Sequence, residues 1–305
     1  MESKNTNPLL CDIETGLCAL PGKESIDKNT AATPETKAIR VIYFTDPICS
    51  SCWGIEPQLR RLKQEYGRTL EFDYRMGGLL PDWSYNSGGI SKPADVAQHW
   101  DEVSAHYDMP IDGDVWLEDP LPSSFPPSIA FKAAQLQDKD KAVMFLRAVR
   151  ELLFLQKRNI TRWEWMELAA RRSDLDTEKL KRDYDQGAKE LFEMDLALAR
   201  ELGVRGFPTI FFTDNSGKQE KVYGARSYEF YEQAILRLAP DAAKEPYARD
   251  WESLFRHYPT LTSREYAELS GVGRQEAEST LSRLHGEGKL NKMDTKNGMV
   301  WSSGR

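Results

Sequence analysis

Three observations predict an α/β protein: one mixed sheet, a helical domain inserted into it, and a small helix-and-hairpin unit at the C-terminus. An apolar, β-branched run at residues 39–44 is followed at once by apolar residues at helical spacing, Ile55, Leu59 and Leu62. Helical periodicity then fills residues 93–186, before strand-like runs return at 207–212 and 221–223. Beyond residue 246 the pattern restarts as helix, turn, helix and hairpin.

Residues 1–38 are polar and aperiodic apart from a short apolar patch around Cys11 and Cys18, and are expected to be a mostly disordered leader. A strand over 39–45 leads into a helix from residue 50 or 51 to about 66, which Gly67 ends. The next strand, 70–75, alternates Leu70, Phe72 and Tyr74 and stops at Gly77-Gly78. In the insertion, 79–186, Pro93 opens a helix where a missing N–H costs little. Pro120, Pro122, Pro126 and Pro127 form a linker to a long helical stretch, 128–159, broken near Asp138-Lys139-Asp140. Thr161 and Glu164 have the spacing of a capping box. A helix over 188–202 ends at Gly203, and Asn215-Ser216-Gly217 turns a hairpin that a helix over 228–238 closes. Segments 39–78 and 187–240 would thus make one domain around the insertion. Without the insertion its order is βαβαββα, which is that of thioredoxin. Residues 246–305 read as a winged-helix-like domain, with a hairpin around Asn297-Gly298.

The 305 residues suffice for one large domain and a small one. A net charge of −7 counts against nucleic-acid binding. Residues 247–305 carry 9 Lys/Arg against 8 Asp/Glu, and the second helix there, 273–285, has glutamates in its first turns and no basic stripe. That unit is therefore expected to dock protein rather than DNA. The first eight residues lack the apolar core of a secretory signal, and no stretch reaches the ~18 apolar residues of a membrane helix. A cytoplasmic protein without membrane contact is expected. Four cysteines are too few for a disulfide scaffold.

Cys49-Ser50-Ser51-Cys52 lies between the first long strand and its helix. That places Cys49 at a helix N-terminus, where unpaired N–H groups and the helix dipole stabilise a thiolate. Cys52, three residues on, is within reach to close a disulfide. Such a pair near a βαβ pattern suits redox or metal chemistry; lacking a second Cys-x-x-Cys, the chain is expected to hold no metal and no cofactor. Cys11 and Cys18 read either as incidental thiols or as a second pair exchanging with Cys49 and Cys52; a zinc site built with the central pair is disfavoured because the leader holds no His.

Asp46-Pro47-Ile48-Cys49-Ser50-Ser51-Cys52-Trp53, with Gly206-Phe207-Pro208-Thr209, resembles the DsbA-like branch of the thioredoxin superfamily over roughly residues 39–240. Glu65-Tyr66-Gly67-Arg68 and the appended C-terminal unit are similar to the cytosolic FrnE- and YjbH/SpxH-type proteins. The latter are adaptors that deliver the regulator Spx to the ClpXP protease. The resemblance implies a thioredoxin fold with an inserted helical domain, Cys49 as the attacking thiolate and Cys52 as the buried resolving thiol. It makes Glu56 a carboxylate that relays the resolving thiol's proton and Pro57 a helix-kinking residue. Pro208 would be cis, freeing the Phe207 backbone to pair with an extended substrate. Ser50, Ser51 and Trp53 would meet the client beside Phe207 and Pro208, with Phe207 narrowing the groove. The family layout also suggests Phe125-Pro126-Pro127 as a cover. Ser-Ser stands where the strongly oxidising periplasmic enzyme has Pro-His, implying a less acidic Cys49 and a less oxidising couple. Two functions are expected. The first is a cytosolic thiol–disulfide oxidoreductase acting on protein thiols and disulfides. The alternative is an adaptor bringing a Spx-like regulator to the Clp protease.

Overall fold

Two short antiparallel strands come first, β1 (Cys11–Asp12) and β2 (Leu17–Ala19), and the body begins at β3 (Ile39–Thr45). The computed structural model describes residues 11–12, 17–19, 37–84 and 92–304. Strand β3 is the inner strand on which the main sheet is built. Its β-branched and aromatic residues suit a strand covered on both faces, and Ile39, Val41, Tyr43 and Phe44 are fully buried.

From β3 the chain enters α1 (Ser50–Gly54) and α2 (Glu56–Tyr66), where the pattern predicts one continuous helix. The interruption falls at Ile55, and Pro57 explains it. Proline has no N–H to return to the preceding turn and is tolerated where a new helix starts. Strand β4 (Leu70–Met76) then pairs parallel with β3.

The insertion consists of α3 (Ala94–Tyr107), α4 (Val115–Glu118), α5 (Phe125–Gln135), α6 (Lys139–Gln156), α7 (Trp163–Arg172) and α8 (Thr177–Gln186). Helix α5 starts at Phe125, earlier than expected, because Pro126 and Pro127 fit its first turn. The expected break comes just before α6, where Asp138 accepts the N–H groups of Asp140 and Lys141. The capping box expected at Thr161 does not form. Its hydroxyl and N–H both bond Asn159 Oδ1, at 2.6 and 3.1 Å, and Arg162 becomes the cap residue of α7.

Helix α9 (Ala188–Glu201) returns the chain to the sheet through β5 (Gly206–Phe207), β6 (Thr209–Asp214) and β7 (Gln219–Tyr223). The sheet order is β4-β3-β6-β7, with β6 antiparallel to both neighbours. Helix α10 (Tyr228–Leu238) closes the body.

The C-terminal unit runs α11 (Trp251–His257), β8 (Thr260–Thr262), α12 (Ser263–Ser270), α13 (Arg274–Gly286), β9 (Leu290–Thr295) and β10 (Gly298–Ser303). Its sheet is ordered β8-β10-β9. A small core of its own gathers Leu254, Phe255, Leu261, Leu281, Leu284 and Trp301. Here a capping box does form: Thr262 accepts the Glu265 N–H and Glu265 accepts the Thr262 N–H. Helix α12 packs along α2, and Val300 joins the core of the body. The connecting segment is pinned as well, with the Glu245 N–H donating to Glu65 O at 2.7 Å. Among the described residues, no helix is long and apolar enough to cross a membrane.

Candidate functional site

Strand β3 ends at Thr45, and Asp46 turns the chain toward the cysteines. The fully buried Asp46 carboxylate accepts from the Ile48 N–H (3.0 Å), the Leu79 N–H (2.8 Å) and the Ser124 hydroxyl (3.0 Å). These bonds fasten the loop before Cys49 to the segment after β4 and to the insertion. Burial nevertheless raises the Asp46 carboxyl to about 6, the bonds and the charge of Arg150 opposing it only in part.

Cys49 is the cap residue of α1, and its sulfur accepts the Cys52 N–H at 3.2 Å. Both residues stand as thiols, and neither has exposed surface. Helix α6 brings Arg150, also wholly buried, beneath them. Its guanidinium donates to Thr45 Oγ1 (2.6 Å), Glu56 Oε1 (2.7 Å) and the Asp46 carbonyl (3.1 Å). A helix N-terminus leads one to expect the depressed thiol at Cys49; the arrangement here differs. Burial, reinforced by its bond to Cys52, pushes the Cys49 thiol up. Burial opposes charge on Cys52 too, but the Cys49 S–H, Arg150 and the Thr45 hydroxyl outweigh it, so Cys52 is lowered.

Glu56 lies across the helix break from Cys52 rather than one turn along the same helix. It is partly buried, bonded to Arg150 and 3.9 Å from Arg60, so its link to the sulfurs runs through Arg150.

Three positions expected at the client-facing rim are packing positions instead. The Trp53 ring has no exposed surface; it stacks on Phe154 (5.5 Å between centroids), lies under the Arg147 guanidinium (4.3 Å) and donates its Nε1–H to the Pro110 carbonyl (3.0 Å). Ser50 and Ser51 are buried, and Ser51 Oγ accepts from the Tyr107 hydroxyl at 3.1 Å. The sequence pattern places these residues beside the sulfurs but cannot show that α3 and α6 close over them. Phe125, expected with Pro126 and Pro127 as a cover, packs edge-on against Phe192 of α9 (4.9 Å).

The Phe207–Pro208 peptide bond is cis. The Phe207 ring does not narrow a groove. It is fully buried over Gly77, where an added Cβ would lie 1.7 Å from the ring. The Phe207 backbone is occupied by the chain itself: β2 is the antiparallel neighbour of β5, with Cys18 opposite Phe207 and Ala19 opposite Gly206. Strand β2 also lies against α1. Residues 11–12 and 17–19, within the apolar patch of the leader, form strands; the rest of the leader before residue 37 lies outside the described residues.

A chain of buried charges extends from this site to the C-terminal unit. Glu56 links Arg150 to Arg60, and Arg60 lies 3.3 Å from Glu265. Glu265 takes a two-point bond from Arg147 (2.6 and 3.0 Å), which also holds Glu151 at 2.6 Å. Arg150, absent from the sequence-based site, had one visible signal. It and Glu151 interrupt an otherwise apolar helical run from Ala148 to Leu155. Among the described residues, no group of three or more His, Cys, Asp or Glu is arranged to hold a metal ion.

A family model described as Thioredoxin (Thioredoxin_5) matches residues 43–233. The chain belongs to this family. A ClpXP adapter protein SpxH from Halalkalibacterium halodurans is 33% identical over 97% of this chain and 97% of its own. The protein of the same name from Bacillus subtilis is 31% identical over 88% of this chain and 90% of its own. Among solved structures, the cytosolic disulfide reductase DsbM from Pseudomonas aeruginosa superposes with a TM-score of 0.54 at 21% identity. It covers 66% of this chain and 100% of its own, a likeness of fold.

Proposed function

We propose that this chain is an adaptor that presents a client protein to a Clp-type protease, with the DsbA-like body as the docking surface. The observation that carries the reading is the extent of the match. The SpxH relatives align along 97% and 88% of the chain, past the DsbA-like body and into the C-terminal unit. The structure supports treating that unit as part of the working surface, because buried Arg–Glu pairs join it to the body. The client suggested by the family resemblance is a Spx-like regulator, and the place of action is the cytoplasm, with the protease. The test is reconstitution of a Clp unfoldase–protease with a Spx-like client. Adding the chain should accelerate client loss, and the Cys49→Ser, Cys52→Ser double variant should do so equally. Unchanged client turnover on addition of the chain would overturn the reading.

A second reading is favoured by one observation, the buried Arg150 bonded to Thr45 and the Asp46 carbonyl at the start of the loop that carries the cysteines. A fixed positive charge that holds a thiolate suits thiol–disulfide exchange, with Cys49 and Cys52 as the exchanging pair. Reduction of an exposed disulfide in a test protein, lost in Cys49→Ser, would support it. No turnover by the intact chain would exclude it.

A further inference from the structure

We propose that Cys11 and Cys18 are a second dithiol that exchanges with Cys49 and Cys52 within one molecule. This deepens the thiol–disulfide reading and rests on it.

Two facts of strand register carry the inference. First, Cys18 stands opposite Phe207 across β2 and β5, and β2 lies against α1, whose cap residue is Cys49. An extended segment paired along that edge takes the position that an added client strand would use. Second, Cys11 stands opposite Cys18 across β1 and β2. Directly opposed residues of an antiparallel pair have Cα atoms ~4.5–5.5 Å apart, within the ~4.4–6.8 Å that a disulfide spans. The backbone register thus sets position 18 on the strand that runs along α1, with position 11 directly across from it.

The exchange balances without an outside reagent. When Cys49 and Cys52 have reduced a client disulfide, they are left joined to each other. The Cys18 thiolate attacks the Cys49 sulfur. The Cys18–Cys49 bond forms, the Cys49–Cys52 bond breaks, and Cys52 departs as the thiolate. Deprotonated Cys11 then attacks Cys18, forming Cys11–Cys18 and releasing Cys49. Two electrons pass from the N-terminal pair to the central pair, and the protons lost by Cys11 and Cys18 are regained by Cys49 and Cys52. The central pair is ready for another client.

The test uses the full chain, dilute, with glutathione disulfide as oxidant and peptide mass mapping of the products. In Cys11→Ser with Cys52→Ser, an intramolecular Cys18–Cys49 disulfide should be the main product. Its yield should exceed that of the Cys11–Cys49 link in Cys18→Ser with Cys52→Ser by at least ~tenfold. In the unaltered chain, Cys11–Cys18 should form faster than in Cys49→Ser. Equal yields from Cys11 and Cys18, or a Cys49–Cys52 disulfide that forms while Cys18 stays fully alkylatable, would overturn the inference alone. A chain in which Cys49 and Cys52 never react with the oxidant would overturn both it and the thiol–disulfide reading.

Discussion

Arg150 sets the electrostatics of the two sulfurs. Burial works against its own charge, but Tyr43, Glu56 and the cysteines around it hold it protonated. Replacing it with Met should raise the pKa at which the cysteine pair first ionises by at least about one unit, since an opposite charge at close range is removed. Ultraviolet absorbance of the thiolate against pH measures this, and an unshifted curve would remove Arg150 from the account. Asp46 offers a test of opposite sign. Its folded pKa, about 6, lies above its ordinary value of 3.8, so the native state keeps a proton that the unfolded chain has released. Asp46 therefore favours the fold most below about pH 4, and its contribution falls as pH rises toward 6. The stability of the protein relative to Asp46→Asn should drop by about 3 kcal/mol across that interval. A flat difference in denaturant unfolding at several pH values would contradict it. At this scale the sequence displays the cysteines and the proline, because their chemistry is tied to residue type and short spacing. Trp53, Ser50 and Ser51 show the limit. Whether a side chain beside the sulfurs meets a client or a neighbouring helix depends on contacts such as Trp53 with Phe154 and Pro110, and those partners lie far along the chain.

Elements depend on each other through two glycines. A Cβ at Gly77 would overlap the Phe207 ring, and one at Gly54 would lie 2.5 Å from the Tyr107 ring. Gly77→Ala should destabilise the protein by about 1–3 kcal/mol, the usual effect of overpacking. It should also shift β5, so amide exchange at residues 17–19 and 206–207 should accelerate more than in the rest of the main sheet. Uniform acceleration everywhere would separate the glycine from this strand. Helix and strand positions were largely legible, because hydrophobic period follows burial in β3, α2 and α6. Helix ends were less so. The same Thr-x-x-Glu spacing occurs at Thr161 and at Thr262, yet only the second forms a capping box, because Asn159 captures Thr161 first. Likewise a run of helical periodicity conceals the break at Ile55, which comes from the missing N–H of Pro57.

In the whole molecule the two cores are tied by charge. Glu265 has no exposed surface and lies between Arg147 and Arg60. Glu265→Gln should cost about 3–5 kcal/mol at neutral pH, since it leaves two buried guanidinium groups short of a counter-charge. Burial alone would raise the Glu265 pKa, but Arg147 and Arg60 bring it below its usual value of 4.5. Its stabilisation is therefore complete above that value and is lost as pH falls through the lowered folded pKa, so the gap to Glu265→Gln should narrow on acidification. Chemical denaturation at neutral and acidic pH reads both effects, and a gap that persists in acid would refute the assignment. None of this network was legible, since its members come from α2, α6 and α12, three segments with nothing in their spacing to link them. The strand β2 bears on the whole molecule in another way. A segment joined covalently to the edge it occupies competes with any incoming strand at an effective concentration on the order of millimolar. Diluting the protein does not weaken such a competitor, and raising the client displaces it only in proportion. Access to the Phe207 edge is then a property of each single molecule, governed by what holds or releases residues 17–19.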